Sequence, residues 1–400
     1  MANSQYYSVL GLLSWGAVGK RAGVKWPHER LLTNIEGGHL PKIERVDVSV
    51  YRVPTDGPES DGTLAWDSTT LVLVELASGG MSGLGFSYAS KSTAVLIREK
   101  LESRVVGHNA LDVQGIWDGM VQFVRNLGRP GISSMAIAAV DIALWDLKAR
   151  LLQQPLVKLL GQVRPCVSAY GSGGFTSYSL QRLQEQLGAW AQSGLRAVKM
   201  KIGREPQRDV ERVRVGHEAI RDRAELFVDA NGAYSCKQAL SQAEAFADYG
   251  VRWFEEPVSS DDLQGLRLIR ERAPVCMDIA AGEYGYDIVY FRRMLEAGAV
   301  DVLQADATRC AGVTGFMQVG ALCEAFQIPL SAHTAPSIHQ HPCCALSRAC
   351  NVEYFYDHYR IEQIFFDGAA HAVNGELTPD LTRPGLGFEF KRADAKRYAI

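Results

Sequence analysis

Six ionisable residues recur at nearly one interval through the second half of this 400-residue chain. Lys201, Asp229, Glu255, Glu283, Asp306 and His333 stand 28, 26, 28, 23 and 27 positions apart. Each closes or follows a short apolar run: AVKMKI, ELFVDAN, VRWFEEP, VCMDIAAGE, VDVLQAD and IPLSAH. Singly, a carboxylate in such a place reads equally well as the cap of the next helix. Six in register argue otherwise, because strands that end at one mouth gather their terminal side chains into one small volume. Asp229, Glu255 and Glu283 are acids on consecutive runs, and three carboxylates brought together repel unless a cation sits among them. An all-oxygen ligand set selects a hard divalent ion, Mg²⁺ rather than zinc, which recruits His or Cys.

Proton carriers flank these acids. Lys199 and Lys201 lie two apart in VKMKIG and so face the same way on a strand. Two such ammonium groups lower each other's pKa, as a lysine needs to act as a base near neutrality. His333 comes one unit after Asp306, and on neighbouring strands a carboxylate holds an imidazole in one tautomer and stabilises its cation. Asn231 shares the face of Asp229 if its strand continues, and Glu256, beside Glu255, should point the opposite way with Pro257 ending the strand. His339 and His341 read as loop residues beyond His333.

The elements that must position these groups are short strands alternating with helical segments such as CKQALSQAEAFADYG and TGFMQVGALCEAF. That cadence means parallel βαβ units, in either a doubly wound sheet or a closed barrel. No GxGxxG follows a first strand, and GSGGF at 171–175 reads as a turn, so the barrel is favoured. Upstream, KIERVDVSVYRV and TTLVLVEL read as strands around a turn-rich stretch, VPTDGPESDGTLAWDS, that is either a surface excursion or a lid. Residues 94–162 read as helices, with SSMAIAAVDIALWDLKARLLQQPL behind a Ser cap and Gly161 as a stop. The first 41 residues show no clear period.

Composition narrows the partners. With 42 basic and 45 acidic residues and a net charge of −3, no global positive field exists to collect nucleic acid or an anionic membrane. No apolar run approaches the length of a membrane span, and SVLGLLSWGAVG near the start lacks the basic segment of an export signal. Eight cysteines, scattered without metal-like spacing, read as reduced, mostly buried thiols of a cytoplasmic protein.

KxK, then DAN, EEP, GE, an Asp and a His at successive strand ends resemble the enolase superfamily, specifically its mandelate racemase subgroup, over residues 42–400. The resemblance implies an α/β fold, a modified (β/α)7β TIM barrel (166–359) beneath an α+β capping domain (42–165, completed by about 360–400). Residues 1–41 are then an extension of unknown role. It further implies that Asp229, Glu255 and Glu283 bind Mg²⁺ and that Lys201 is the base on one face of the substrate, with Lys199 contacting the substrate carboxylate. His333 with Asp306 then serves the other face, and Glu353 in NVEYF hydrogen-bonds the carboxylate or enolate oxygen. The stretch Thr55–Ser68 becomes a lid, polar through Asp56, Glu59, Asp61 and Trp66, with GFSYAS at 85–90 as a second loop. The expected chemistry is abstraction of the proton α to a carboxylate, as in an acid-sugar dehydratase acting on a small hydroxy-carboxylate, an aldonate or aldarate. A racemase or epimerase of a 2-hydroxy acid is the alternative, and an idle binding scaffold or a metal-dependent hydrolase fits less well. A homo-oligomer, dimer or octamer, is expected from the family alone.

Overall fold

The computed structural model describes residues 40–400, so the expectation for residues 1–41, apart from its last two positions, lies outside the described residues. The chain opens with a three-stranded antiparallel sheet: β1 (Arg45–Ser60), β2 (Ala65–Ser78) and β3 (Met81–Tyr88). The stretch expected to be a loop is instead the far part of a long β1–β2 hairpin whose register breaks between Pro54 and Glu59. Proline cannot donate to the ladder, so the strand bulges and bends there rather than ending. GFSY, expected in a second loop, is the end of β3.

Helix Ile132–Leu151 packs across this sheet. Gly83 and Gly85 permit the contact, since a Cβ would stand 2.4 Å from the Ala143 carbonyl oxygen and 2.2 Å from that of Ala139. The helix begins at Gly131, without a side-chain cap, and Ser133 and Ser134 lie buried inside it, contrary to the Ser cap expected. The far end of the chain closes on the same sheet. Phe366 stacks on Phe86, Phe388 packs against both, and the Ile400 N–H donates to the Val50 carbonyl.

Eight parallel strands form the second layer: β4 (Val167–Gly173), β5 (Ala197–Lys201), β6 (Glu225–Asp229), β7 (Val251–Glu255), β8 (Asp278–Ala281), β9 (Val302–Ala305), β10 (Leu330–Ala332) and β11 (Ala349–Phe355). They pair in sequence order, and β11 pairs with β4, which closes the barrel. The GSGGF cluster read as a turn runs into this closure, its first three residues forming the end of β4. Gly171 and Gly173 let the Trp190 ring approach, since a Cβ at either would lie within 3 Å of it.

Period-two alternation sorts the strand residues. Tyr170, Ala197, Phe227, Trp253, Ala280 and Val302 fill the barrel interior, while Val198, Met200, Val228 and Phe254 belong to the larger core beneath the helices. Lys199, Lys201, Asp229 and Glu255 therefore continue the inward rows above that apolar plug. Among the described residues all eight cysteines are free, and four are buried. No helix there is long and apolar enough to cross a membrane.

Candidate active site

Each of the six periodic residues lies at or directly beyond a strand's C-terminal end. Lys201, Asp229 and Glu255 are the last residues of β5, β6 and β7. Glu283 follows β8 across Gly282, whose φ of +135° and whose approach to the Gln304 carbonyl, 2.1 Å from a would-be Cβ, exclude a side chain. Asp306 and His333 come directly after β9 and β10, and Glu353 sits within β11. All are nine-tenths buried or more.

One oxygen from each of Asp229, Glu255 and Glu283 falls within 4.8 Å of the others. Glu255 Oε2 accepts from the Trp253 indole N–H at 3.0 Å, and Asp229 Oδ1 from the Asn231 backbone N–H at 2.8 Å. β6 has already ended at Asn231, whose φ is +46°, so it reaches the cleft by a left-handed turn and not by continuing the strand. Glu256 also departs from expectation. At φ +38° and 1% exposed, it is close enough to Glu283 and Asp229 that burial first, and then their charges, hold its carboxyl well above the usual range, and its Oε1 has no partner. Burial and Asp229 likewise push Glu255 up to about 8. Glu283, by contrast, is held well below the ordinary range, against its burial, by His333 and Arg309. A buried all-oxygen cluster that draws on Lys199, Lys201, Arg309 and His333 for compensation, beside an orphaned Glu256 oxygen, is what a hard divalent cation relieves, so the residues present fit Mg²⁺.

The lysines close the ring from the β5 side. Lys199 Nζ lies 2.6 Å from Glu255 Oε1 and 2.9 Å from Glu353 Oε1, over the Tyr170 ring, and Lys201 Nζ donates to Asp229 Oδ2. Mutual repulsion was expected to depress both pKa values. Burial does lower them and Lys199 opposes the charge on Lys201, but Glu255, Glu353 and Asp229 outweigh these effects and hold both ammonium groups above the ordinary lysine value. A cation among the acids removes that compensation.

Across the mouth, His333 Nδ1 meets Asp306 Oδ2 at 2.8 Å, and its Nε2 lies 3.2 Å from Glu283 Oε2 and 3.8 Å from Glu353 Oε2. Burial alone would lower the imidazole pKa, but Glu283, Glu353 and Asp306 raise it to about 9. The paired imidazole in turn holds Asp306 below the usual carboxylate range against its burial. With Nδ1 engaged by Asp306, Nε2 is the atom that faces the cleft.

His339 and His341 are not loop residues. Pro336 starts a helix, Pro336–Cys343, in which both are fully buried. His339 Nε2 accepts from the Ala307 N–H at 2.8 Å and supports the loop after Asp306.

The cleft above these groups holds about 650 Å³. The hairpin roofs it with Asp61, Leu64, Trp66 and Thr69, and Gly62 presses onto the barrel rim, where a Cβ would stand 2.3 Å from the Ala230 carbonyl oxygen. Of the three hairpin acids expected to make the lid polar, only Asp61 lines the cleft. Glu59 is buried behind it against the Trp66 N–H, and Asp56 bonds the Tyr356 hydroxyl. Sequence reasoning missed Arg309, whose Nη1 donates to the Glu283 carbonyl at 3.1 Å, and His358, buried with an unpartnered Nδ1 on the cleft wall. Arg309 follows Asp306 in the same strand-end loop and was findable there. His358 sits on the helix after the last strand, where the strand-end rule does not look.

Residues 182–395 match the family described as enolase C-terminal domain-like, and residues 45–161 match the mandelate racemase/muconate lactonizing enzyme N-terminal domain. The chain is 53% identical to a mandelate racemase/muconate lactonizing enzyme-like protein of Rubrobacter xylanophilus, at a TM-score of 0.88 over 90% of this chain and 100% of that one. It is 33% identical to the 3,6-anhydro-alpha-L-galactonate cycloisomerase of Streptomyces coelicolor, over 88% of this chain and 98% of the other. The L-talarate/galactarate dehydratase of Salmonella typhimurium LT2, solved with Mg and L-lyxarohydroxamate, aligns at 25% identity and a TM-score of 0.82 over 96% of both chains.

Proposed function

Because the chain belongs to the mandelate racemase subgroup of the enolase superfamily, we propose that it dehydrates an acid sugar to a 2-keto-3-deoxy acid by removing the proton α to the carboxylate. The observation that carries this reading is the placement of Lys201 on β5 and His333 beyond β10, on opposite sides of one mouth, with the acid cluster between them. Asp229, Glu255 and Glu283 are the residues that would hold Mg²⁺, which when bound supplies positive charge beside a substrate carboxylate.

The protein's own part follows from its geometry. Lys199, fully buried, lies where negative charge grows on the carboxylate oxygens as the α-proton leaves, and it stabilises that charge without reorganising. Glu353, paired with Lys199 at 2.9 Å, holds that ammonium in place from the β11 side. Lys201 Nζ or His333 Nε2 takes the proton, depending on which face carries it. The group on the other face donates to a departing β-hydroxyl, and water forms. Asp306 keeps His333 in the tautomer that presents Nε2 and stabilises its cation. The hairpin covers part of the cleft and limits the water that reaches the reacting carbon.

A second reading is favoured by the Streptomyces coelicolor relative, 33% identical and named as a cycloisomerase. If the oxygen on the β-carbon is a ring ether, the same two residues open the ring and no water is lost.

The test is a screen of Mg²⁺-loaded protein against acid sugars, reading 2-keto-3-deoxy product and α-proton exchange in D₂O. Turnover of an acid sugar is expected, with Lys201→Met and His333→Ala each lowering it by about 10² to 10⁴-fold. Full turnover in both variants refutes the assignment of the two bases, and exchange without elimination points to a racemase or epimerase.

A further inference from the structure

We propose that the substrate carries a single carboxylate, its far end uncharged, and that Asp61 on the hairpin tip turns a second carboxylate away. This rests on the acid-sugar reading above and narrows it to monoacids. With its carboxylate at Lys199 and its α-carbon between Lys201 and His333, an acid sugar extends the rest of its chain toward the roof.

A terminal carboxylate there is held best by a cation, and among the described residues the cleft is lined by Lys201 and Arg309 besides two histidines, His333 and His358, the latter kept neutral by burial, which holds it well below the ordinary histidine value. Lys201 is engaged at the floor by Asp229. Arg309 is already shared, with Nη1 on the Glu283 carbonyl and 3.3 Å from Glu283 Oε1, and Nε 3.7 Å from Asp306. Behind the hairpin, Arg360 does not line the cleft, and its Nη2 is spent on Asp357 at 3.0 Å and the Pro54 carbonyl at 2.6 Å.

The roof instead presents a carboxylate. Asp61 Oδ1 accepts the backbone N–H groups of Thr63 and Leu64, each at 2.7 Å, while Oδ2 has no hydrogen bond among the described residues. Gly62 holds this tip hard against the Ala230 and Ile202 carbonyls, so Asp61 cannot retreat toward the barrel. A terminal hydroxyl can donate to Oδ2. A terminal carboxylate has nothing to donate, and it loses hydration beside a like charge with no free cation in reach.

The experiment pairs each hexonate with the hexarate of the same configuration, galactonate with galactarate for example, and measures kcat/KM for α-proton exchange and dehydration by the Mg²⁺-loaded protein. The best hexonate is expected to exceed its hexarate at least tenfold. Asp61→Asn, which keeps the acceptor for Thr63 and Leu64, is expected to narrow that ratio at least threefold. Leu64→Arg, at a residue 65% exposed, is expected to narrow it independently by adding a cation to the roof. Hexarates used as well as or better than hexonates overturn the inference while leaving the acid-sugar reading intact. A ratio unmoved by Asp61→Asn removes the part assigned to that residue. If no acid sugar of either kind binds or reacts, the proposed function falls and this inference with it.

Discussion

His341 illustrates how one buried side chain sets a property of the whole fold. Its Nε2 donates to the Leu386 carbonyl at 3.0 Å, while Nδ1 is buried without a partner, so a second proton would be charged and unsatisfied. Burial accordingly holds its pKa down at about 4, below the ordinary histidine value. Because the folded pKa lies below the unfolded one, the unfolded chain binds the extra proton first. The stability contributed by neutral His341 is then complete above the unfolded pKa and is lost as pH falls toward 4. Between pH 7.5 and 5 this amounts to roughly 2 kcal/mol. Urea midpoints for His341→Gln, whose amide can still reach Leu386, should fall less over that range than those of the parent chain, and parallel pH profiles would remove the assignment. Other buried groups titrate in the same window, Asp141 with the opposite sign since burial pushes it up to about 7, so the difference between the two proteins is the quantity to read.

At the scale of elements, the hairpin is what turns a barrel mouth into a walled cleft. Its tip is located by Gly62, where an added Cβ would meet the Ala230 carbonyl at 2.3 Å and the Ile202 carbonyl at 2.8 Å, both backbone atoms that cannot step aside. Gly62→Ala should therefore lift the tip rather than unfold the protein. The expected result is a kcat/KM on the best acid sugar at least tenfold lower with a melting temperature within a few degrees of the parent, because the roof positions substrate and limits water without carrying the core. A large loss of stability with unchanged kcat/KM would show the contact to be structural instead. The hairpin also shows what spacing conceals. PTDGPES reads as loop because Pro, Gly and Asp are turn formers, yet the partner strand continues the ladder beyond a bulge and overrides that local preference.

For the molecule as a whole, three buried acids in a barrel mouth are a standing cost offset here by Lys199, Lys201, Arg309 and His333. An ion that binds only the folded state adds stability by mass action, about 2.7 kcal/mol when present at a hundred times its Kd. Mg²⁺ should thus raise the melting temperature, and a chelator should lower it and abolish α-proton exchange, with Mg²⁺ restoring both. A melting temperature indifferent to Mg²⁺, in the parent and in Asp229→Asn alike, would count against the triad as its site. The two layers hold one another through contacts distant in sequence. Asp141 on the cap helix accepts from Thr314 N and Oγ1, at 2.9 and 2.7 Å, at the start of helix Gly312–Phe326, which has no cap of its own.

The sequence by itself determined which residues stand at the mouth and in what order. One strand and one helix per unit fix the interval, and period-two alternation puts Lys199 on the face of Lys201 and Trp253 on that of Glu255, so the barrel and its polar rim were legible before any coordinate. Tertiary structure alone decided what those residues touch. Asn231 and Glu256 reach the acid cluster through positive φ, which strand periodicity does not encode. His339 and His341 are buried in a helix begun by Pro336, and Asp61 meets the cleft only because a hairpin more than a hundred residues upstream docks on the rim between β5 and β6. Spacing records the repeat of a local unit, whereas side-chain partners and pKa shifts arise from the dense packing of segments far apart in the chain, where small changes in direction exchange one contact for another.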